Sequence, residues 1–295
     1  MTKAKALFAK FSIYELEKDR IQDVLSAIKK NSEVFQQYKF NPPSATEKER
    51  MGFSETLLGG GYVGELPEGL LLRITQQGKS INRNEVKDVS LAKELLWMEE
   101  NKTDFVQKNI KKILLEDSEA LVIQKTYPNE EVHGHILLRK DGKVLVEGKG
   151  NASERLISLV RKALGSFPAL PVQVVSDVNS MLKGWVKSGL NGDIFTLGSK
   201  ATLLSELGTE YVTKGEDISQ DPNAMAILKS DDSTVTKVET CFDGVIQVTI
   251  TDALTFEGVK VDKDLTAGEE DAAMLFITSK EINKMVDDTL GRLNG

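Results

Sequence analysis

The stretch HGHILLRKDGKVLVE, residues 133–147, decides how this chain is read. Two apolar runs, Ile136 to Leu138 and Val144 to Val146, flank Asp141-Gly142. Asp-Gly is a strong hairpin signal, because the turn needs positive φ and glycine takes it without strain. The segment therefore predicts strands over His133 to Arg139 and Lys143 to Glu147. Asn151 to Leu164 follows, with Leu156, Ile157, Val160 and Leu164 at helical spacing. Gly165 is a natural stop, and Pro168 and Pro171 prevent continuation. A hairpin feeding an amphipathic helix predicts a helix laid on an antiparallel sheet.

Upstream, Ala6 to Leu16 alternates apolar and polar residues and predicts a first strand. Asp19 to Lys30 places Ile21, Val24, Leu25 and Ile28 on one helical face. Asn41-Pro42-Pro43-Ser44 breaks the chain, Gly59-Gly60-Gly61 reads as a loop, and Leu70 to Thr75 as a strand. Asn82 to Glu116 has no proline or glycine and predicts two helices, the second capped by Thr103. Ala120 to Thr126 predicts a strand. Downstream, Val172 to Val175 predicts a short strand and Val178 to Ser188 a helix. Strands are expected at Asp193 to Leu197, Glu210 to Lys214, Ala224 to Lys229, Val235 to Cys241, Val245 to Thr251 and Thr255 to Val261. Glu269 to Thr278 is expected to be a strand and Glu281 to Leu293 a final helix. The fold class is α+β, mainly antiparallel sheets with helices packed on one face. The expected domains are 1–76 with 117–170 as a central sheet, 77–116 as a helical insertion, and 171–295 as a second α+β domain.

The composition is that of a globular protein: 295 residues, 40% apolar and 28% charged. Apolar runs such as Ala120 to Ile123 fall far short of the ~20 residues of a membrane span. Met1 to Lys10 has no continuous apolar core, so no signal peptide is expected. The single cysteine, Cys241, excludes an internal disulfide and fits a reducing compartment. The net charge is −7, and residues 199–295 alone contribute −10, whereas residues 101–162 contribute +3. Bulk charge argues against nucleic acid, but a local basic surface acts through its own field.

Catalytic motifs are sparse. Gly59 to Gly64 lacks the Lys-Ser or Lys-Thr of a phosphate loop. His133 and His135 share a strand face, yet no third metal ligand is evident, and they read as two exposed strand histidines. Asp262 to Ala273 fails as a calcium loop, with glycine at Gly268 and alanine at the twelfth position. Asp141, Glu147 and Lys149 loosely match a metal-dependent nuclease pattern, although Asp141 is explained by the hairpin turn. Cys241 lies in a strand-like run, and no nucleophile motif or cofactor fingerprint occurs. Basic residues carry more: Lys108, Lys111, Lys112, Lys125, Arg139, Lys140, Lys143, Lys149, Arg155, Arg161 and Lys162 suit a surface that tracks a phosphate backbone.

Leu156 to Val172, LISLVRKALGSFPALPV, closely resembles the central signature of the RdgC family, and Met181 to Gly189, MLKGWVKSG, resembles its following helix. Weaker echoes run from Phe8 to Asp19, at Met51-Gly52-Phe53, from Tyr211 to Asp217, and through LFITSKEINKMVDDTLG near the C-terminus. The resemblance implies a bacterial, cytoplasmic, nucleoid-associated protein with no catalytic activity and no cofactor. It implies a horseshoe-shaped subunit with central, helical-tip and base parts. It further implies a homodimeric ring that encircles double-stranded DNA without sequence preference and restrains the RecA recombinase. No membrane partner is implied. On this reading Arg161, Lys162 and Lys187 contact DNA, supported by Lys108, Lys111, Lys112 and Lys125. Leu121, Val122 and Ile123 stand where the family carries an aromatic finger at its dimer contact, and Lys214 with Asp217 is what remains of a Lys-Lys-Gln-Asp contact in the base. Two alternatives stay open. One is a nuclease using Asp141, Glu147 and Lys149. The other is an interaction protein whose acidic C-terminal third docks a basic partner and whose DNA binding has been lost.

Overall fold

A computed structural model describes residues 7–30, 32–190, 193–215 and 217–295. Ala6, at the expected start of the first strand, and Glu216, between Lys214 and Asp217, lie outside them. The chain runs β1 (Lys10–Leu16), α1 (Ile21–Lys30), α2 (Ser32–Gln37), β2 (Glu49–Ser54), β3 (Val63–Leu66) and β4 (Gly69–Gly78). Next come α3 (Arg83–Asn101), α4 (Lys108–Lys125), β5 (Val132–Arg139), β6 (Lys143–Glu147), α5 (Asn151–Leu164) and β7 (Ala169–Pro171). It ends with α6 (Val178–Ser188), β8 (Phe195–Leu204), β9 (Glu210–Lys214), α7 (Pro222–Ile227), β10 (Thr234–Phe242), β11 (Ile246–Thr251), β12 (Thr255–Val261) and α8 (Asp271–Asn294). Two units divide the chain: Met1–Val34, Glu55–Arg73 and Gly134–Gly295 form the first, Phe35–Ser54 and Ile74–His133 the second.

In the first unit an open antiparallel sheet follows the order β5–β6–β1–β12–β11–β10–β8–β9, and β7 pairs with the end of β1. Strand alternation sorts its two faces. One face gives Phe11, Ile13, Leu145, Val238, Val248, Ile250 and Phe256 to a core shared with Leu182, Trp185 and Val186 of α6 and Ile282, Met285, Val286 and Leu290 of α8. On the opposite face α5 covers the β5–β6–β1 end. There Tyr14 and Ser153 hydroxyls are 3.1 Å apart, and Leu156, Ile157 and Val160 are buried. That is why Val144, Leu145 and Val146 are all buried, where a one-sided strand would alternate. The rest of that face, from β12 to β9, has no helix over it among the described residues.

In the second unit α3 and α4 form an antiparallel pair, tied by Lys111 to Glu94 at 3.0 Å. Asn82 caps α3, its side chain accepting from Asn84 N–H at 3.0 Å. Phe35 and Phe53 meet edge to face at 4.7 Å. Lys79 is buried, and its ammonium donates to Ser44 O (3.0 Å), Ala45 O (2.8 Å) and Ile123 O (3.0 Å). Among the described residues no helix is long and apolar enough to cross a membrane.

Both α5 and α6 occupy the predicted ranges, and Gly165 closes α5 at φ 74°. Five expectations are corrected. Ala120 to Thr126 is the end of α4, not a strand: Ser118 and Val122 continue one buried helical row, and the Ser118 hydroxyl donates to Leu114 O at 2.6 Å. Thr103 does not cap α4, which starts at Lys108; its hydroxyl instead accepts from Phe105 N–H within the connecting loop. Ala224 to Lys229 falls on α7 and its end, because Pro222 opens a helix capped by Asp221. Glu269 to Thr278 belongs to α8, whose buried row Leu275, Ser279, Ile282, Val286 and Leu290 is one continuous helical stripe. The strand expected at Val172 to Val175 forms earlier, as β7, where Leu170 pairs with Glu15. Strands β2 and β3 had no sequence signal of their own.

Candidate nucleic-acid interface

The uncovered sheet face of the first unit is basic. Lys10 faces Glu257 in register, Lys237 lies opposite Thr202 and Thr251, and Lys260 lies opposite Gln247. Lys200 stands directly opposite Lys214. Like charges in that position repel, by roughly 0.2–1 kcal/mol relative to a neutral pair, and neither ammonium has an acidic partner among the described residues. Lys149 reaches over the same face from the β6–α5 turn, bonding Glu257 at 2.7 Å. Against these six lysines stand three strand glutamates, Glu210, Glu239 and Glu257, and Asp262 just beyond β12, whose charge reaches Cys241. Glu239 accepts from Ser199 N–H (3.0 Å) and Oγ (2.9 Å). Between the charges lie Ser12, Thr249 and Gln247, with Thr202 and Thr251 buried in the sheet and no aromatic ring among the strand residues of this uncovered part.

The residues expected from sequence divide. Arg161 is an architectural link: its guanidinium donates to Phe167 O (3.1 Å) and Ala169 O (3.0 Å), fixing the chain after α5. Lys162 is exposed at the end of α5. Lys187 is exposed on α6, which packs against the other face of the sheet, so it is not brought together with the lysines above. Lys214 is exposed on β9 and joins them. Lys108, Lys111, Lys112 and Lys125 are exposed on α4 of the second unit, where Lys112 is paired with Glu116 at 3.7 Å. Leu121 is exposed there and Val122 buried, while Ile123 is intermediate. The same helix pair exposes Leu91, Leu95, Leu96, Ile113 and Leu115, and Phe105 of the intervening loop is 66% exposed. The sequence reading missed this apolar surface.

Asp141, Glu147 and Lys149 do not converge. Asp141 pairs with Arg139 and Lys143, each at 2.9 Å. Glu147 holds His135 Nδ1 at 2.8 Å, and Lys149 holds Glu257. Arg139 is not a surface base: it is buried and also bonds Asn283 (3.3 Å) and Asp287 (3.0 Å) of α8. The histidines are half-buried, not exposed, and His133 Nδ1 lies 2.9 Å from Thr75 Oγ1. Among the described residues no cluster of three or more potential ligands could hold a metal ion.

Several carboxyls sit below their ordinary range. Asp193 is held down by hydrogen bonds from Arg292, and Asp177 by the Ser180 N–H and hydroxyl. For Glu257, burial pushes upward, but the Lys149 hydrogen bond and the charges of Lys10 and Lys237 outweigh it. A depressed folded-state pKa gives stability that is full above the ordinary carboxylate value near pH 4 and lost as pH falls through the folded value. The melting temperature is therefore expected to stay level from about pH 7 to 5 and fall below about pH 4. Arg292→Met should make that acid limb shallower, which thermal melts across the pH range will show.

Comparison with known proteins places the chain among relatives of one name. A protein from Psychromonas ingrahamii named "Recombination-associated protein RdgC" is 23% identical over 305 residues, covering 98% of both chains. One of the same name from Shewanella loihica is 25% identical over 202 residues, covering 68% of this chain and 65% of that protein. Another, from Shewanella putrefaciens, is 24% identical over 189 residues, covering 62% of each. With the two Shewanella proteins the match thus spans less than two thirds of their length. These similarities are to proteins of the recombination-associated class. The family model described as "Putative exonuclease, RdgC" matches residues 7–294, and the chain belongs to the RdgC family.

Proposed function

We propose that this protein binds double-stranded DNA through its phosphate backbone, without sequence preference. It does so as a homodimer, and it acts in recombination by restraining a RecA-type recombinase through the DNA it covers. The observation that carries the reading is the uncovered sheet face, with six lysines against three glutamates and Asp262 on a chain whose net charge is −7. Lysines neutralise phosphates and release counterions, and hydroxyl and amide side chains add phosphate contacts; neither reads base identity. Without aromatic rings the face has no platform for stacking unpaired bases, which favours duplex over single strands. Lys162 adds a base in the same unit, and Lys108 and Lys125 are bases of the second unit's own surface. The exposed apolar side chains of α3 and α4, Leu121 among them, support self-association, since monomers rarely leave so many uncovered. Such a protein would reside on the nucleoid and need no cofactor.

The test is fluorescence anisotropy of a labelled random-sequence duplex at several salt concentrations. Log affinity should fall linearly with log salt, equally for unrelated sequences. The double variant Lys200→Ala/Lys214→Ala should flatten that slope by about 2. The family description raises a nuclease reading, which the separate pairing of Asp141, Glu147 and Lys149 disfavours. Duplex incubated with protein and Mg²⁺ should stay full length; shortening would establish the nuclease instead. Failure to bind at low salt would leave the acidic C-terminal third as the surface to test, with a basic partner protein.

A further inference from the structure

One point on the basic face is organised differently from the rest. The Glu257 side chain is only 15% exposed, yet three ammoniums converge on it: Lys149 at 2.7 Å, Lys237 at 3.4 Å and Lys10 at 3.8 Å. They come from four distant pieces of chain. β12 supplies the carboxylate, β1 supplies Lys10 opposite it in register, β10 supplies Lys237, and the β6–α5 turn supplies Lys149. That turn is specialised. Gly148 and Gly150 have φ of 102° and 52°, and a Cβ on Gly148 would lie 3.0 Å from Ala152 Cβ and 3.2 Å from Ser153 N. Glycine is needed there to swing Lys149 over the sheet.

The cluster has a net charge of +2, and its lysine side chains remain 42%, 51% and 44% exposed for Lys10, Lys149 and Lys237. Each ammonium carries three N–H donors; Lys149 and Lys237 each spend one on Glu257, and Lys10 stands at ion-pair distance, so donor capacity remains on all three. Free lysines lose side-chain freedom when they bind an anion. Here Glu257 has already gathered three of them, which lowers that cost, while its own charge opposes an incoming phosphate.

We propose that Lys10, Lys149 and Lys237 form a preformed seat for a phosphodiester of duplex DNA, and that Glu257 is the resident anion that sets how tightly the seat holds it. The inference rests on the DNA-binding reading above. Glu257 thereby limits affinity, keeping the protein exchangeable on DNA.

The test compares wild type, Glu257→Gln and Lys149→Ala by duplex anisotropy, with Lys284→Ala on α8 as control. Glu257→Gln keeps the side-chain size and removes the charge. It should bind duplex about tenfold tighter near 0.1 M salt, with a slope steeper by about one. Lys149→Ala should bind several-fold more weakly, and the control should match wild type. A second readout works on the wild-type chain: the ¹H–¹⁵N signal of the Lys149 ammonium, assigned through Lys149→Arg, should shift on adding duplex. If wild type binds but Glu257→Gln is unchanged or weaker and the Lys149 signal stays put, the seat is refuted while DNA binding stands. If wild type binds no duplex at all, the DNA reading falls and the seat with it.

Discussion

Lys79→Met should destabilise the second unit by about 3 kcal/mol, the upper scale of losing hydrogen bonds to a charged group. The Lys79 ammonium donates to three carbonyls, Ser44 O, Ala45 O and Ile123 O. The first two lie in the turn after Pro42-Pro43, and the third is among the last carbonyls of α4, where the helix dipole is negative. One side chain therefore fastens a turn to a helix end, and all three of its donors are satisfied in a buried place. Methionine fills much of the volume but takes the ammonium from all three carbonyls; Ser44 O keeps the Glu47 N–H (3.2 Å) and Ile123 O the Thr126 N–H (3.3 Å), while Ala45 O loses the donor it has here. The expected result is a lower thermal midpoint, with faster amide hydrogen exchange at the end of α4. Lys48→Met is the matched control. Its side chain is 62% exposed and pairs, among the described residues, with Glu119 at 3.3 Å, so its loss should change stability by about 0.5 kcal/mol or less. Equal effects from the two variants would show that Lys79 is an ordinary surface lysine.

What the sequence revealed was local. Helices α5 and α6 were readable at their true ends because each carries its own stop, Gly165 at φ 74° and Gly189 at φ 75°. The β5–β6 hairpin was readable because Asp141-Gly142 specifies its turn. By contrast, Val122-Ile123 and Leu275-Phe276-Ile277 resemble strands in isolation and became helix through rows buried against other elements. The interface was harder still. Lys149 and Glu257 are 108 positions apart, and only the register of β1 against β12 shows that Lys10 joins them. Each lysine looked like one more solvated charge. The family signature points to Arg161 as a DNA contact; what it could not show is that the same guanidinium also holds the chain locally, donating to Phe167 O and Ala169 O. Arg139 was likewise read as surface charge and is buried against α8.

Phe256→Ala should cost about 3–5 kcal/mol, the range for removing a fully buried aromatic side chain. Phe256 stacks on Phe11 with ring centroids 4.7 Å apart and planes 3° from parallel, and both rings are wholly buried. The two residues face one another in the β1–β12 register, one step from the Lys10–Glu257 pair that points to the opposite side of the sheet. The core stack and the proposed phosphate seat are thus two faces of one strand pairing, held in part by Val259 N–H donating to Ala9 O at 2.9 Å. Loosening the stack should reach the seat. Chemical denaturation should show the lower stability, and exchange of the Val259 amide should quicken. At a temperature where Phe256→Ala is still folded, its duplex affinity should fall although no charge has changed. Phe256→Leu retains most of the buried volume, should cost about 1.5 kcal/mol or less, and should keep wild-type affinity. Should Phe256→Ala lose stability but bind duplex like wild type, the seat does not depend on the β1–β12 register, and the lysines reach phosphate independently of the strands that carry them.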